Sequence, residues 1–599
     1  MKRLTQILVW IICLLVAALP LAACDKRGET AGAADAAASA GAVSDNAAAS
    51  DTAGNEAEKT VEDVRADTVA APDTTGATEI VFSGGTANVS GGGAAAQGGV
   101  VSVTAAGTFV LRGTGEGRVI VNAKKQDVTL VLESLHLTCA YGSPLYIYKS
   151  AVTTVYLAAE SENTLTDGTA YTYADEFSSA EEEEPNACLY SKSDLVIAGA
   201  GKLTVTANCK NGITGKDTLK IDGAVIAVRA KNHGINGKDS LTVNAAEITV
   251  EAGGDALRST NDTDAALGFI VIADSGLSLT AGEDGVQATT ALTISGGSCT
   301  VTTGGGSGGK ASADSSAKGL KAGGNLSLLS GTYALNCLDD AVHSNAGVLI
   351  KGGTFTIATG DDGIHADENV TISGGGITVT KSYEGIEGKS IDLTGGEISV
   401  TASDDGLNAA GGTDGSGFGG FGSSDRFGSA SSDVYIRITG GRLYVNASGD
   451  GIDSNGNLIV SGGEIYVDGP VGNGDGALDY DGTATITGGL LVAVGSSGMA
   501  QNFGSASTQG SILLNFTSGS GGRVTVSDAA GNVLIDYTPA KSYRSVVVSC
   551  PELVKGGSYT ISACGQSSTV TLSSLILGSG SGMGGGGQQP GGGMRPGRP

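Results

Sequence analysis

An all-β chain wound as a parallel β-solenoid of about 22 residues per coil, closed by a small antiparallel β module at its C-terminal end, is predicted by three observations. The first is a period. Between Asp339 and Asn408 one pattern is restated: acidic residues, Gly or Ala, a branched apolar residue, a polar residue and a small one, with anchors Val342, Ile364, Ile386 and Leu407 spaced 22, 22 and 21 apart. A fixed repeat of this size without helical periodicity marks a solenoid of strands. The second is the recurring turn Lys351-Gly352-Gly353, Ser373-Gly374-Gly375, Thr394-Gly395-Gly396, Thr439-Gly440-Gly441, Ser461-Gly462-Gly463 and Thr487-Gly488-Gly489. Gly at one turn of each coil fits a backbone conformation that a Cβ forbids. The third is composition: 99 glycines against 10 prolines and 5% aromatic residues require a narrow core of Val, Ile, Leu and Ala.

The first 24 residues read as a targeting segment. Lys2 and Arg3 precede an apolar run from Ile7 to Leu19, of signal-peptide length. The segment ends Leu21-Ala22-Ala23-Cys24, which resembles the lipobox of bacterial lipoproteins. That resemblance makes Cys24 the lipidated N-terminus after cleavage and the point of contact with a membrane. Residues 25–76 are rich in Ala, Gly, Ser, Thr and Asp and read as a disordered tether.

The β-rich body is expected over 77–508. Short strands at Val100–Thr104, Thr108–Arg112, Arg118–Asn122 and Val128–Leu132 form a less regular capping end. The regular repeat starts near Leu189, and its anchors are Leu189, Ile213, Ile235, Leu257, Val286, Leu320, Val342, Ile364, Ile386, Leu407, Ile452, Leu478 and Met499. Gaps of 29, 34 and 45 coincide with loop-like insertions at Thr260–Ala266, Gly304–Ala317 and Ala409–Asp433. In Asp361–Ser382 three strands are expected, with Ile364, Ala366, Val370, Ile372, Ile377 and Val379 inward. Residues 509–572 read as the antiparallel module that protects the solenoid's open end, and 573–599 as a Gly/Pro-rich disordered tail. Of seven cysteines beyond the leader and Cys24, Cys188/Cys209 and Cys550/Cys564 have spacings open to either disulfides or free thiols.

A net charge of −27, from 35 basic and 62 acidic residues, excludes nucleic acid as the expected partner and favours cations or neutral ligands. Stacking the coils places Asp339, Asp340, Asp361, Asp362, Glu384, Asp404, Asp405 and Asp450 in one column at roughly 5 Å intervals. Neighbouring carboxylates there repel by about 3 kcal/mol at an effective dielectric near 20. Hard oxygen donors at this spacing suit Ca²⁺; in any one coil, Asp-Gly turn chemistry accounts for the pair equally well. Just after each anchor comes an outward position, and Lys321, His343, His365, Glu387, Asn408 and Asp453 make a polar ribbon beside the column. Hydrogen-bonding groups every ~4.8 Å form a track for an extended polysaccharide, or a merely solvated face. Two loops stand apart: Tyr171–Pro185, carrying Glu181 to Glu184, and the Gly-rich insertion with Phe418, Phe421 and Phe427.

The stretches SAKGLKAGGNLSL, DDAVHSN, DDGIHAD, ITVTKSYEGIEG, ASDDGLNAAGG, GDGIDSNGN, GALDYDG, GSSGMAQ and TPAKSYRSVVVSCPEL lie within Ile80–Gly565. By these the chain resembles bacterial carbohydrate-binding β-helix lipoproteins associated with cellulose and polygalacturonate binding. The resemblance implies a right-handed parallel β-helix like that of pectate lyases, bound Ca²⁺, and polysaccharide binding at the bacterial cell surface by a lipid-anchored, monomeric protein. A rival reading is a Ca²⁺-dependent polysaccharide lyase with Lys321 or Lys381 as base. No group of unlike residues breaks the repeat sharply, which weighs against catalysis.

Overall fold

The computed structural model describes residues 60–309, 316–410 and 433–578. Cys24, the leader, residues 25–59 of the expected tether, the Phe-bearing insertion over 411–432 and the tail from 579 lie outside the described residues. The described chain is all-β apart from one short helix, and 47 of its strands belong to one large sheet.

That sheet is built from three parallel ladders, because the strand of each repeat pairs with the equivalent strand of the next. In the first ladder Leu320, Val342, Ile364, Ile386, Leu407, Ile452 and Leu478 are successive partners. The ladder passes from Val286 to Leu320 and from Leu407 to Ile452 without a break. Insertions therefore leave the register intact, as the anchor spacing predicts. Alternation along each strand sends the branched residue inward: Ile364, Ala366, Val370, Ile372, Ile377 and Val379 are all buried in one apolar cluster that runs from Ile80 to Val547. In two repeats the first and second strands run on as one, Ile364–Ile372 and Ile386–Leu393.

The Gly-Gly turn has the cause expected of it. Gly353, Gly375, Gly396, Gly441, Gly463 and Gly489 all have φ between +81° and +107°, a region in which side chains are strained. These turns also stack so closely that a Cβ on Gly375 would lie 2.8 Å from the Gly353 carbonyl oxygen.

Three boundaries differ from the sequence reading. The tether does not extend to residue 76: Val61–Ala66 is a helix with a Thr60/Asp63 capping box. Its Val61 and Val64 pack on Phe269, Val271 and Ala273, and Arg65 Nε is 2.6 Å from Asp274 Oδ2. The run Phe269–Ala273 is apolar at every position because both of its faces are covered. The C-terminal module is not one sheet. Ser511–Ser520 and Tyr543–Ser549 extend the large sheet antiparallel from Leu490–Gly495, so they cover its last exposed edge. Val524–Asp528, Val533–Tyr537, Ser558–Ala563 and Gln566–Thr571 form a separate four-stranded sheet. The tail begins later than residue 573, since Ile576–Leu577 pairs with Ser511 and Ile512. The seven described cysteines are free thiols, Cys188, Cys209, Cys550 and Cys564 among them.

Candidate functional site

The turn before the first-ladder strand carries the column of charged residues. Two positions before each anchor stand Asp255, Asp284, Lys318, Asp340, Asp362, Glu384, Asp405 and Asp450. One oxygen of most of these carboxylates is used by the backbone of the next repeat. The N–H of Asp284 donates to Asp255 Oδ1 (3.1 Å), that of Lys318 to Asp284 Oδ1 (2.8 Å), and that of Asp362 to Asp340 Oδ1 (3.0 Å). Further along, the N–H of Glu384 donates to Asp362 Oδ1 (3.3 Å), that of Asp450 to Asp405 Oδ1 (2.6 Å) and that of Gly476 to Asp450 Oδ1 (2.5 Å). These bonds run between repeats, and Gly363, Gly385, Gly406 and Gly451 have no positive φ, so they are not the local Asp-Gly turn weighed against metal binding. They occupy one oxygen of Asp255, Asp284, Asp340, Asp362, Asp405 and Asp450.

The other oxygen turns toward the ribbon, and there the column divides in two. Upstream, a basic residue meets it, three positions on in the same repeat for Asp255, Asp340 and Asp362 and from the next repeat for Asp284. Asp255 Oδ2 is 3.2 Å from Arg258 Nη1, Asp340 Oδ2 is 2.8 Å from His343 Nδ1, and Asp362 Oδ2 is 3.3 Å from His365 Nδ1. Lys318 Nζ lies 2.5 Å from Asp340 Oδ2 and 2.9 Å from Asp339 Oδ1, and Lys321 Nζ lies 3.1 Å from Asp284 Oδ2 and 3.0 Å from Ser316 Oγ. Downstream, the same spacing gives Glu384–Glu387, Asp405–Asn408 and Asp450–Asp453. Among the described residues no lysine or arginine lies at ion-pair distance from Asp404, Asp405 or Asp450.

The electrostatics follow that division except at Asp362, which burial and then the carboxylates of Asp340, Glu384 and Glu387 raise well above its ordinary value despite the bond to His365. His365 has carboxylates at both ring nitrogens, Glu387 Oε2 at 2.8 Å from Nδ1 and Asp367 Oδ1 at 3.2 Å from Nε2. Burial opposes its charge, but the bonds to Asp362 and Glu387 push its pKa up to about 12. Its ring stacks on His343 at 4.9 Å. Asp340, although fully buried, is held below the usual carboxylate range by Lys318 and His343. In the downstream half the shifts run the other way. Burial first, then neighbouring carboxylates, raise Glu384 to about 9, Asp405 to about 10 and Asp450 to about 8.

Four groups of side chains are close enough to share a cation, with ligand atoms within 4.8 Å of one another: His233/Asp255/Glu283, Asp362/His365/Glu387, Asp339/Asp340/Asp361 and Asp405/Asp450/Asp453. In the first three a lysine, arginine or histidine already faces the carboxylates. Beside the last stands an unpartnered oxygen on Asn408, the ladder partner of Asp453. Asn408 gives its Nδ2 to Glu384 Oε2 at 2.8 Å, while its Oδ1 is buried without a partner, a costly state for an amide oxygen. A Cβ at Gly449 would fall 2.3 Å from Asp405 Oδ1 and 2.5 Å from Asp404 Oδ1, so glycine there keeps the space beside both oxygens clear.

The ribbon is not the solvated strip that alternation suggests. His343, His365, Glu387 and Asn408 are buried, because each leans over the turn carboxylates and on its ladder neighbours. Lys321 and Asp453 are half-buried and reach the surface. Lys381 stands apart on a third-ladder strand, with its Nζ on the Ser307 carbonyl oxygen. Sequence reasoning missed Asp255, Asp284, Lys318, His233 and Gly449. The first three and His233 occupy the same turn as the acidic pairs, two before an anchor; Gly449 carries no such signal.

Residues 97–363 match the family described as "Carbohydrate-binding domain-containing protein". A relative of that same description from Acetivibrio thermocellus is 37% identical over 132 residues, 22% of this chain and 45% of its own length, so the chain matches less than half of that relative. A solved structure described as the polysaccharide lyase-like protein from C. thermocellum, a gadolinium derivative, aligns with a TM-score of 0.37 at 30% identity, over 38% of this chain and 92% of that one.

Proposed function

We propose that this chain is a non-catalytic polysaccharide-binding protein whose three ladders close as a right-handed parallel β-helix. Cys24 tethers it by a lipid to the outer face of the bacterial membrane, and its ligand is cellulose or an acidic, pectin-like glycan. The observation that carries the reading is the unbroken file of polar side chains on the first ladder, one per repeat from Tyr190 to Asp479. Its upstream part lies inside the stretch that matches a carbohydrate-binding family. The members of that file that reach the surface, Arg258, Gln287, Lys321, Asp453 and Asp479, keep the strand register and suit a polymer whose own repeat is extended.

Asp405, Asp450 and Asp453, with Asn408 Oδ1, fit Ca²⁺: the donors are all oxygen, mostly anionic, and no lysine or arginine pairs with Asp405 or Asp450 among the described residues. Bound there, Ca²⁺ would neutralise the downstream carboxylates and offer a Lewis-acidic contact to sugar hydroxyls or carboxylates. The chain's own part is to hold those oxygens fixed, since the backbone N–H groups of Asp450 and Gly476 already orient Asp405 and Asp450.

Neither lysine of the lyase reading is placed as a free base. Lys321 is committed to Asp284 and Ser316, and Lys381 lies on another ladder. The test is to incubate the full chain with polygalacturonate and with cellulose, with Ca²⁺ and with chelator, following both retention on the polymer and absorbance of unsaturated product. Retention without product is expected. Product formation that disappears in Lys321→Ala would replace this reading with the lyase, and retention on neither polymer would end it.

A further inference from the structure

We propose that Tyr190, Lys192 and Lys216 form a carboxylate-binding subsite at the upstream end of the polar file, filled in this structure by the chain's own Glu184, and that an acidic polysaccharide takes Glu184's place there. The inference deepens the polysaccharide-binding reading and rests on it.

The subsite is a built one. Glu184 Oε2 lies 2.5 Å from Lys192 Nζ and Oε1 lies 2.8 Å from Lys216 Nζ, and the nearby Tyr190 hydroxyl is buried without a hydrogen-bond partner. The Glu184 side chain is only 7% exposed. It sits at the end of a strap, Tyr171–Pro185, closed on itself by the pair of backbone bonds between Ser179 and Glu184. Two further glutamates of the strap also land on lysines: Glu183 is 2.6 Å from Lys210 Nζ, and Glu182 is 3.9 Å from Lys192 Nζ. Beneath the strap lie rings. Tyr146 and Tyr190 are fully buried, Tyr148 packs edge-on to Phe177 at 5.2 Å, and the Tyr146 hydroxyl donates to the Phe177 carbonyl.

A plain ion-pair staple would account for one glutamate on two lysines. Two features exceed it. The lysines continue past the strap: Lys192, Lys216 and Lys238 follow the partners Ser191, Gly215 and Gly237 in successive repeats. Lys238 has no ion pair among the described residues. Beside them on the polar file, Thr214 and Asn236 are at least nine-tenths buried, and their Oγ1 and Oδ1 atoms have no hydrogen-bond partner. Half-buried lysines at one-repeat spacing offer an accessible row to the carboxylates of a polymer, and the unpaired hydroxyl and amide oxygens beside them lie buried next to that row. Four consecutive glutamates from Glu181 to Glu184 imitate the charged component of such a polymer. The acidic half of the file, from Glu387 to Asp479, would repel the same polymer unless a cation intervenes, which makes the upstream end its natural point of first contact.

The test is titration calorimetry of the full chain in chelator with polygalacturonate and with a neutral cello-oligosaccharide. Glu184→Gln removes the competing charge and keeps the side-chain shape. It is expected to raise the ratio of polygalacturonate to neutral-glycan affinity about tenfold. Lys216→Gln and Lys238→Gln, made in the Glu184→Gln background, should each return that ratio toward the wild-type value. An unchanged ratio in Glu184→Gln, while the wild type still binds glycan, overturns the subsite and leaves the polysaccharide-binding reading standing. No glycan binding by any variant overturns both. Binding of polyglutamate as tightly as polygalacturonate would assign the subsite to acidic peptides and overturn it as a glycan site.

Discussion

The backbone N–H of Asp450 donates to Asp405 Oδ1 at 2.6 Å, although the two residues are 45 apart in sequence. They are adjacent in the ladder, because the insertion between them leaves the register untouched. The bond fixes one carboxylate against the backbone of the next repeat and leaves two half-buried acids facing Asp453, with no lysine or arginine paired to either among the described residues. Upstream, the equivalent acids meet Arg258, Lys318, His343 and His365. One repeated turn thus serves two electrostatic regimes, one neutralised by the chain and one that needs a cation or protons.

Asp450→Asn tests the second regime. The amide oxygen still accepts from Gly476, while one negative charge is removed from a cluster in which neighbours repel by about 3 kcal/mol. Metal-free protein at pH 8 should become more stable by about 1–2 kcal/mol, and Ca²⁺ affinity should fall at least tenfold. Thermal melting in chelator and calorimetric Ca²⁺ titration read the two effects, and a variant that keeps wild-type affinity would remove Asp450 from the cation site.

The pH dependence has a definite sign. Glu384, Asp405 and Asp450 are raised to about 9, 10 and 8 by burial and by neighbouring carboxylates, Asp453 among them in each case, so each holds its proton more tightly folded than unfolded. Their contribution to stability is complete below the unfolded carboxylate pKa, near ~4, and is lost as pH rises through the folded values. In chelator the melting temperature should fall between pH 5 and pH 8, and saturating Ca²⁺ should flatten that slope. A chelated protein that is more stable at pH 8 than at pH 5 would contradict the burial of these acids.

Lys318 stands where every neighbouring repeat has an acid, and its ammonium neutralises Asp339 and Asp340 together. Lys318→Met leaves Asp340 buried without that partner and should cost about 3–5 kcal/mol by urea unfolding. Adding Asp340→Asn should recover most of the loss. If the double variant is no better than the single one, the cost lies in packing and not in charge.

The period, the Gly-Gly turn and the inward residues were legible because each is a local pattern restated many times, so any repeat teaches the next. Val61 and Val64 were not, since a short helix among Ala, Thr and Asp shows its purpose only when the outer face of Phe269–Ala273 is in place to receive it. The acidic column was legible as a column. Its division into neutralised and bare halves was not, because Lys318–Asp340 and Lys321–Asp284 join residues of different repeats. The solvent exposure expected of His343 and His365 failed for a related reason: alternation gives the side of the strand, while stacking of like residues on that side decides how much water reaches them.

The Gly-Gly turn yields a prediction about the scaffold alone. Gly375 has φ +95°, and a Cβ there would meet the Gly353 carbonyl oxygen at 2.8 Å. Gly375→Ala therefore combines backbone strain of about 1–3 kcal/mol with a contact that neither neighbouring turn can relieve without moving its own stack. Gly376, one residue on, has nothing within 4 Å of its would-be Cβ and no positive φ. Gly376→Ala should accordingly be within about 0.5 kcal/mol of wild type. Urea unfolding of the two variants side by side separates conformational demand from mere glycine content, and equal losses would refute the turn geometry.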